Sequence, residues 1–246
     1  MAMVPKRLKK EPLIEVIWQL QFEAPGAAEV LPGLLFTKLQ AEHPDLRIER
    51  LPAAELPAFI GQVDPNLSFA AKVRIKATNS PLVWQVGERV VTVNCTKPYI
   101  GWEAFYTNIT SIIRTLKESH LIPNPLRHSL RYIDLISFDK EPDLSAIQLD
   151  LKIGSYQVNQ FPVQTRVEIP ETSVTHIVQI VSPAELMLLD GKQRGTLIDL
   201  ETLSQKELAS WDELQEDLKQ LHNASKAFFF TQLLTNSTIE KLEPEY

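Results

Sequence analysis

Residues 13–22, LIEVIWQLQF, limit the possible folds of this chain more than any other stretch. Ile14, Val16, Trp18, Leu20 and Phe22 fall on one side of an extended chain, and Glu15, Gln19 and Gln21 on the other, with Ile17 the exception. Successive side chains of a strand point to opposite faces, so this run is a half-buried strand whose apolar face needs a cover. A second alternating series opens at LRHSLRYIDLISF, residues 126–138. Two helical stripes can supply the cover. Trp102, Phe105, Tyr106, Ile109, Ile112, Ile113 and Leu116 share one helical face, with Trp102 expected to fill the core. Trp211, Leu214, Leu218 and Leu221 form the other, after a Ser210–Glu213 pair that fits a capping box. Helices that follow runs of short-linked strands predict an α+β fold with a large, mostly antiparallel sheet.

Between these landmarks, VLPGLLFTKLQAEHP reads as a helix, LRIERL as a strand and residues 52–70 as a loop. LVWQVGERVVTVNC reads as a hairpin with Gly87 and Glu88 at its tip. IQLDLKI, FPVQTRVEI, VTHIVQIV and GTLIDLETL read as strands. The chain divides into halves, 1–122 and 123–246, joined in one globular unit. Each opens on a long strand and ends in a helix begun by Trp and an acid, GWEAF and SWDEL.

A formal charge of −6 opposes nonspecific attraction to nucleic acid. A single cysteine, Cys95, allows no internal disulfide, and Glu15, Gln19 and Gln21 interrupt the first apolar run before it resembles a signal peptide. The expectation is a cytoplasmic protein without a membrane span.

No glycine-rich phosphate loop is present: GKQRG, residues 191–195, has the wrong spacing and reads as a turn. His43, His120, His128, His176 and His222 are scattered singly, so neither a metal nor a cofactor is expected. Ser155 lacks the second glycine of a nucleophile elbow, and Cys95 reads as a small buried side chain. His176 alternates inward with Val174 and Val178, as a hydrogen-bonded core histidine or, alternatively, a catalytic base. Asp134 shares a face with apolar residues and needs a partner there, either a structural one or a ligand. Arg127, His128 and Arg131 read as a solvated face, with Arg131 retained as a binding candidate, and Lys6–Lys10 reads as a solvated tail. In TVNCTKPYIGWEAF, a corner accounts for Pro98 and Trp102 but leaves Lys97 and Tyr99 as binding candidates. Phe228, Phe229 and Phe230 point around most of a helix continued to residue 234. Phe229 and Phe230 therefore mark either a core wedge or a surface for a protein partner or second copy.

PLIEVIWQLQF, LPGLLFTKL, WQVGERVVTVN, KPYIGWEAF and LRYIDLI, taken in order, resemble a sporadically distributed bacterial family of similar length. The resemblance spans residues 12–136 well and the remainder in layout only. It implies a cytoplasmic protein with no established enzymatic activity, and its patchy distribution suits mobile-element or defence-associated systems, an antitoxin among them. The functional expectation is a non-enzymatic binding protein acting with a protein partner. The alternative is a sensor or enzyme with a pocket between sheet and helices, centred on Asp134, Tyr132 and His176.

Overall fold

The protein was analysed as a computed structural model that describes residues 4–24, 26–55, 67–138, 144–159, 161–188, 191–206, 208 and 210–246. The strands are β1 (Arg7–Leu8), β2 (Leu13–Phe22), β3 (Arg47–Arg50), β4 (Ala71–Lys76), β5 (Leu82–Gly87), β6 (Val90–Thr96), β7 (Pro125–Ile136), β8 (Lys152–Ile153), β9 (Tyr156–Gln157), β10 (Val163–Pro170), β11 (Val174–Leu188), β12 (Gly191–Ser204) and β13 (Pro244–Glu245). The helices are α1 (Ala27–Gln40), α2 (Trp102–Ser119), α3 (Glu213–Phe228) and α4 (Asn236–Lys241). Nine strands form one large antiparallel sheet in the order β10-β11-β12-β7-β2-β6-β5-β4-β3, and with the helices packed on it the fold is α+β.

Two compact units interleave along the chain. The first holds Glu15–Leu130 and Ser204–Leu218; the second holds Met1–Ile14, Arg131–Leu203 and Lys219–Tyr246.

In the first unit, β2 pairs antiparallel with β6, β6 with β5, β5 with β4 and β4 with β3. The alternation of β2 is realised: Val16, Trp18, Leu20 and Phe22 are buried. Helices α1 and α2 pack against this part of the sheet through Leu31 and Leu35 and through Phe105, Ile109, Ile112 and Leu116. Each such side chain contributes about 1.5–3 kcal/mol when fully buried. Trp102 is only partly buried and lies against Tyr106, ring centroids 5.6 Å apart, so the core begins at Phe105 instead. On the opposite face of β6, Thr92 donates to Asn94 (2.6 Å), and Asn94 donates to Glu15 (2.8 Å). The hairpin tip falls at Glu88–Arg89. AKVRIK, β4, is a strand not anticipated from the sequence, and much of the expected loop at 52–70 lies outside the described residues.

In the second unit, β10 pairs antiparallel with β11, with Val167 opposite Val178 and Ile169 opposite His176. The core gathers Ile136, Val178, Ile180, Ile198 and Leu200 with Phe228, Phe229, Leu233, Leu234 and Ile239. Two expectations change here. GKQRG begins strand β12 and is not a turn. IQLDLKI is mostly non-strand; Ile147 makes an isolated bridge to Leu234, and only Lys152–Ile153 pairs, in a small hairpin with β9. The basic tail is not free in solvent either. Strand β1 pairs with β13, Arg7 bonds Glu245, Lys10 lies 2.7 Å from Glu243, and Leu8 is buried in the core.

Gly195 is a close-approach position, since a Cβ there would stand 2.5 Å from the Ile136 carbonyl oxygen. Gly33, inside α1, would carry a Cβ with nothing within 4 Å. Gly195→Ala is expected to destabilise by about 1–3 kcal/mol, whereas Gly33→Ala is expected to stabilise by about 0.5–1 kcal/mol. Urea unfolding of the two variants should move the midpoint in opposite directions.

Candidate functional site

His128 and His176 each lie near a carboxylate, and their surroundings give them opposite characters. In the first unit, Trp18 Nε1 donates to His128 Nδ1 at 3.3 Å, which leaves the ring proton on Nε2. That nitrogen donates to Asp217 Oδ2 at 2.7 Å, and Lys206 Nζ lies 3.3 Å from Asp217 Oδ1. Burial alone would raise the Asp217 carboxyl, but hydrogen bonds from His128, Ser204 and Lys206 outweigh it and hold the pKa at about 2. Every ring nitrogen of His128 is used internally. The group is a buried polar brace, and the expected solvated face survives only at Arg127.

The folded-state pKa of Asp217 lies below its ordinary value of 3.8, so its stabilisation is complete above pH 3.8 and is lost as pH falls toward 2. The contribution is about 2 kcal/mol. Asp217→Asn should remove this part of the acid dependence in chemical unfolding measured from pH 5 down to about 2.

The second unit holds a histidine with an unused nitrogen. His176, on β11, is fully buried and stacks on Phe228 with ring centroids 4.2 Å apart. Its Nδ1 lies 2.9 Å from the Thr202 hydroxyl, which accepts from Ser225 at 2.6 Å. Thr202 is also fully buried, so its single hydroxyl proton is best satisfied by donation to Nδ1. The ring proton then sits on Nε2. That atom is buried without a hydrogen-bond partner among the described residues. Glu171 Oε2 stands 3.8 Å away, too far for a hydrogen bond. Burial lowers the imidazole pKa, against a smaller opposing pull from Glu171, which favours the neutral ring.

His176 lines a cavity of about 540 Å³. Its floor is the paired face of β10 and β11: Thr165, Val167 and Ile169 opposite Ile180, Val178 and His176. The C-terminal part of α3 supplies Ala224, Ala227 and Phe228 as a second wall. Helix α3 ends in a π-turn, Phe229–Leu233, in which the Leu234 N–H bonds the Phe229 carbonyl at 3.1 Å. Gln148 ties the Ile147–Leu149 side to this turn, its N–H bonding Leu233 O at 2.7 Å and its side chain Leu234 O at 2.6 Å. A volume of this size, with mainly apolar walls and few polar groups, suits a small molecule. The first unit carries a groove of about 800 Å³ along α2. Its lining is mainly hydrophilic, and none of those residues has a buried side-chain polar atom without a partner.

The six binding candidates fall in different places. Arg131 forms a two-pronged pair with Asp199, its Nε donating at 2.7 Å, and Gln179 approaches the same carboxylate at 3.5 Å. Asp134 is buried on β7 and Tyr132 lies 2.8 Å from His222 Nδ1; neither lines the His176 cavity. Tyr99 packs edge-on against Phe105 at 6.3 Å, and Lys97 is partly buried beside it in the chain. Phe229 is buried and Phe230 packs on the same core, their rings perpendicular at 5.3 Å. The wedge interpretation accounts for both, because the π-turn rotates successive side chains away from a regular helical spacing. His176 was legible as an inward residue of an alternating strand. Glu171, Thr202 and Ser225 were not, since their meeting depends on hairpin register and on where α3 lies.

Among the described residues no group of three metal-ligating side chains converges, and no helix is long and apolar enough to cross a membrane. The chain matches no protein-family model, and no curated protein matches it.

If the polar trio exists for ligand binding, stability should not require it. Replacing both partners of a buried hydrogen bond by apolar groups of similar shape can be nearly neutral. The triple variant His176→Phe, Thr202→Val, Ser225→Ala is expected to unfold within about 1 kcal/mol of the parent, or to be more stable. Equilibrium denaturation in urea measures this.

Proposed function

We propose that this chain is a binding protein whose second unit takes up a small, largely apolar molecule in the cavity at His176. One observation carries the reading: a fully buried histidine whose Nε2 has no hydrogen-bond partner among the described residues lines a mainly apolar cavity. Burying such a donor costs roughly 1–3 kcal/mol unless something bonds it. A bound molecule with an acceptor atom would recover that cost and gain the apolar contact of Val167, Ile169, Phe228 and Leu233. The role proposed is binding and not turnover, and the family that the chain resembles has no established enzymatic activity.

A second reading, contact with another protein, has its own support. Ile153, Tyr156, Phe161 and Met187 of the second unit are exposed apolar side chains, with relative exposures from 57% to 79%. They, and not Phe229 and Phe230, are the residues such a partner would cover. A role in a mobile-element or defence system belongs to this reading and rests on the resemblance.

A thermal-shift screen of metabolites against the parent and the triple variant tests the first reading. The expected result is a subset of apolar compounds that raise the parent's melting temperature by several degrees, as ligand linkage requires at concentrations about 100-fold above Kd. The variant should show no rise. Equal stabilisation of both proteins, or of neither, would count against the cavity.

A further inference from the structure

We infer that the cavity selects a neutral head group carrying both a hydrogen-bond acceptor and a donor, an alcohol or a primary amide, on an apolar body. This inference rests on the ligand-binding reading of the same site. Its basis is the pairing of His176 Nε2 with Glu171 Oε2 across 3.8 Å. Two groups at that separation do not bond each other, but one small polar group beside both can bridge them.

The two sides of the gap have opposite requirements. On one side, the Ser225–Thr202–His176 sequence of hydrogen bonds sets Nε2 as a donor, so the ligand must supply an acceptor. On the other, the Glu171 carboxylate only accepts, so the ligand must supply a donor. A hydroxyl satisfies both with one atom, and a primary amide does so with its oxygen and nitrogen. A carboxylate would meet Nε2–H well but would stand against Glu171 with like charge. An ammonium would suit the half-exposed Glu171 but has no acceptor for Nε2–H.

Register explains why these residues meet. Glu171 follows β10 directly, and its N–H bonds the Val174 carbonyl at 2.8 Å, closing the turn into β11. His176 then lies opposite Ile169, and the head-group site occupies this end of the β10–β11 hairpin. The apolar body runs along Ile169, Val167 and Phe228 toward Leu233. The inner face of β10 thereby gains a role in selecting ligand length.

The test uses four probes with one alkyl chain: n-octanol, octanamide, octanoate and n-octylamine. Their binding to the full chain is measured by calorimetry at pH 7. Saturable binding of octanol and octanamide is expected, on the order of tenfold tighter than octanoate or octylamine, equivalent to about 1.4 kcal/mol. Glu171→Gln should selectively improve octanoate, since the repulsion is removed while Nε2–H remains. His176→Phe, combined with Thr202→Val and Ser225→Ala, should weaken all four. Equal binding of the four probes, or preference for a charged one, would overturn the head-group inference and leave the apolar cavity reading intact. Absence of saturable binding by any probe would overturn both.

Discussion

The first unit depends on a run of buried polar contacts that has no loose end. Trp18 on β2 bonds His128 on β7, His128 bonds Asp217 on α3, and Lys206 and Ser204 complete the carboxylate. Trp18, His128, Ser204 and Asp217 lie where water cannot replace a lost partner, so each position is specified by its neighbour. Strand β2, strand β7 and helix α3 are thereby held in one register. Apolar contacts, those of Trp18, Phe105 and Leu218 among them, supply the bulk of burial, but they would tolerate sliding that the hydrogen bonds do not.

The polar group in the second unit follows the same chemistry with a different ending. Ser225 and Thr202 fix one nitrogen of His176, and the other, itself buried, has no hydrogen-bond partner among the described residues, with Glu171 beyond hydrogen-bonding range. In the first unit, both histidine nitrogens are committed to the fold. In the second, one has no partner among the described residues. That contrast sets the two groups apart more sharply than residue type does, because both contain a buried histidine near a carboxylate.

Several elements were legible because a local pattern carried them. Strands β2 and β11 alternate, and α2 has a single apolar stripe that the fold buries from Phe105 to Leu116. IQLDLKI alternates as well, yet only its end is paired, since Ile147 and Gln148 bond the turn after α3 instead. GKQRG looks like a turn by composition, but Gly195 is needed so that β12 can approach the Ile136 carbonyl. The three consecutive phenylalanines left a core wedge and a surface for a partner both open. The π-turn at Phe229–Leu233 directs Phe229 into the core and packs Phe230 against it, a local widening that no propensity announces.

The amino-acid sequence by itself determined the α+β class, the principal strands and helices, and the inward direction of His176. These follow from side-chain periodicity and from the need to bury apolar faces. Tertiary structure alone decided which polar residues became partners. Asp217 reaches His128 across 89 positions and Asp199 reaches Arg131 across 68, while Ser225 and Thr202 meet at His176. Such meetings depend on strand order, register and the end of a helix, and none of these is encoded within a short window. The cavity belongs to the same class of outcome. It exists because the β10–β11 face and the end of α3 pack around a gap lined by separate parts of the chain.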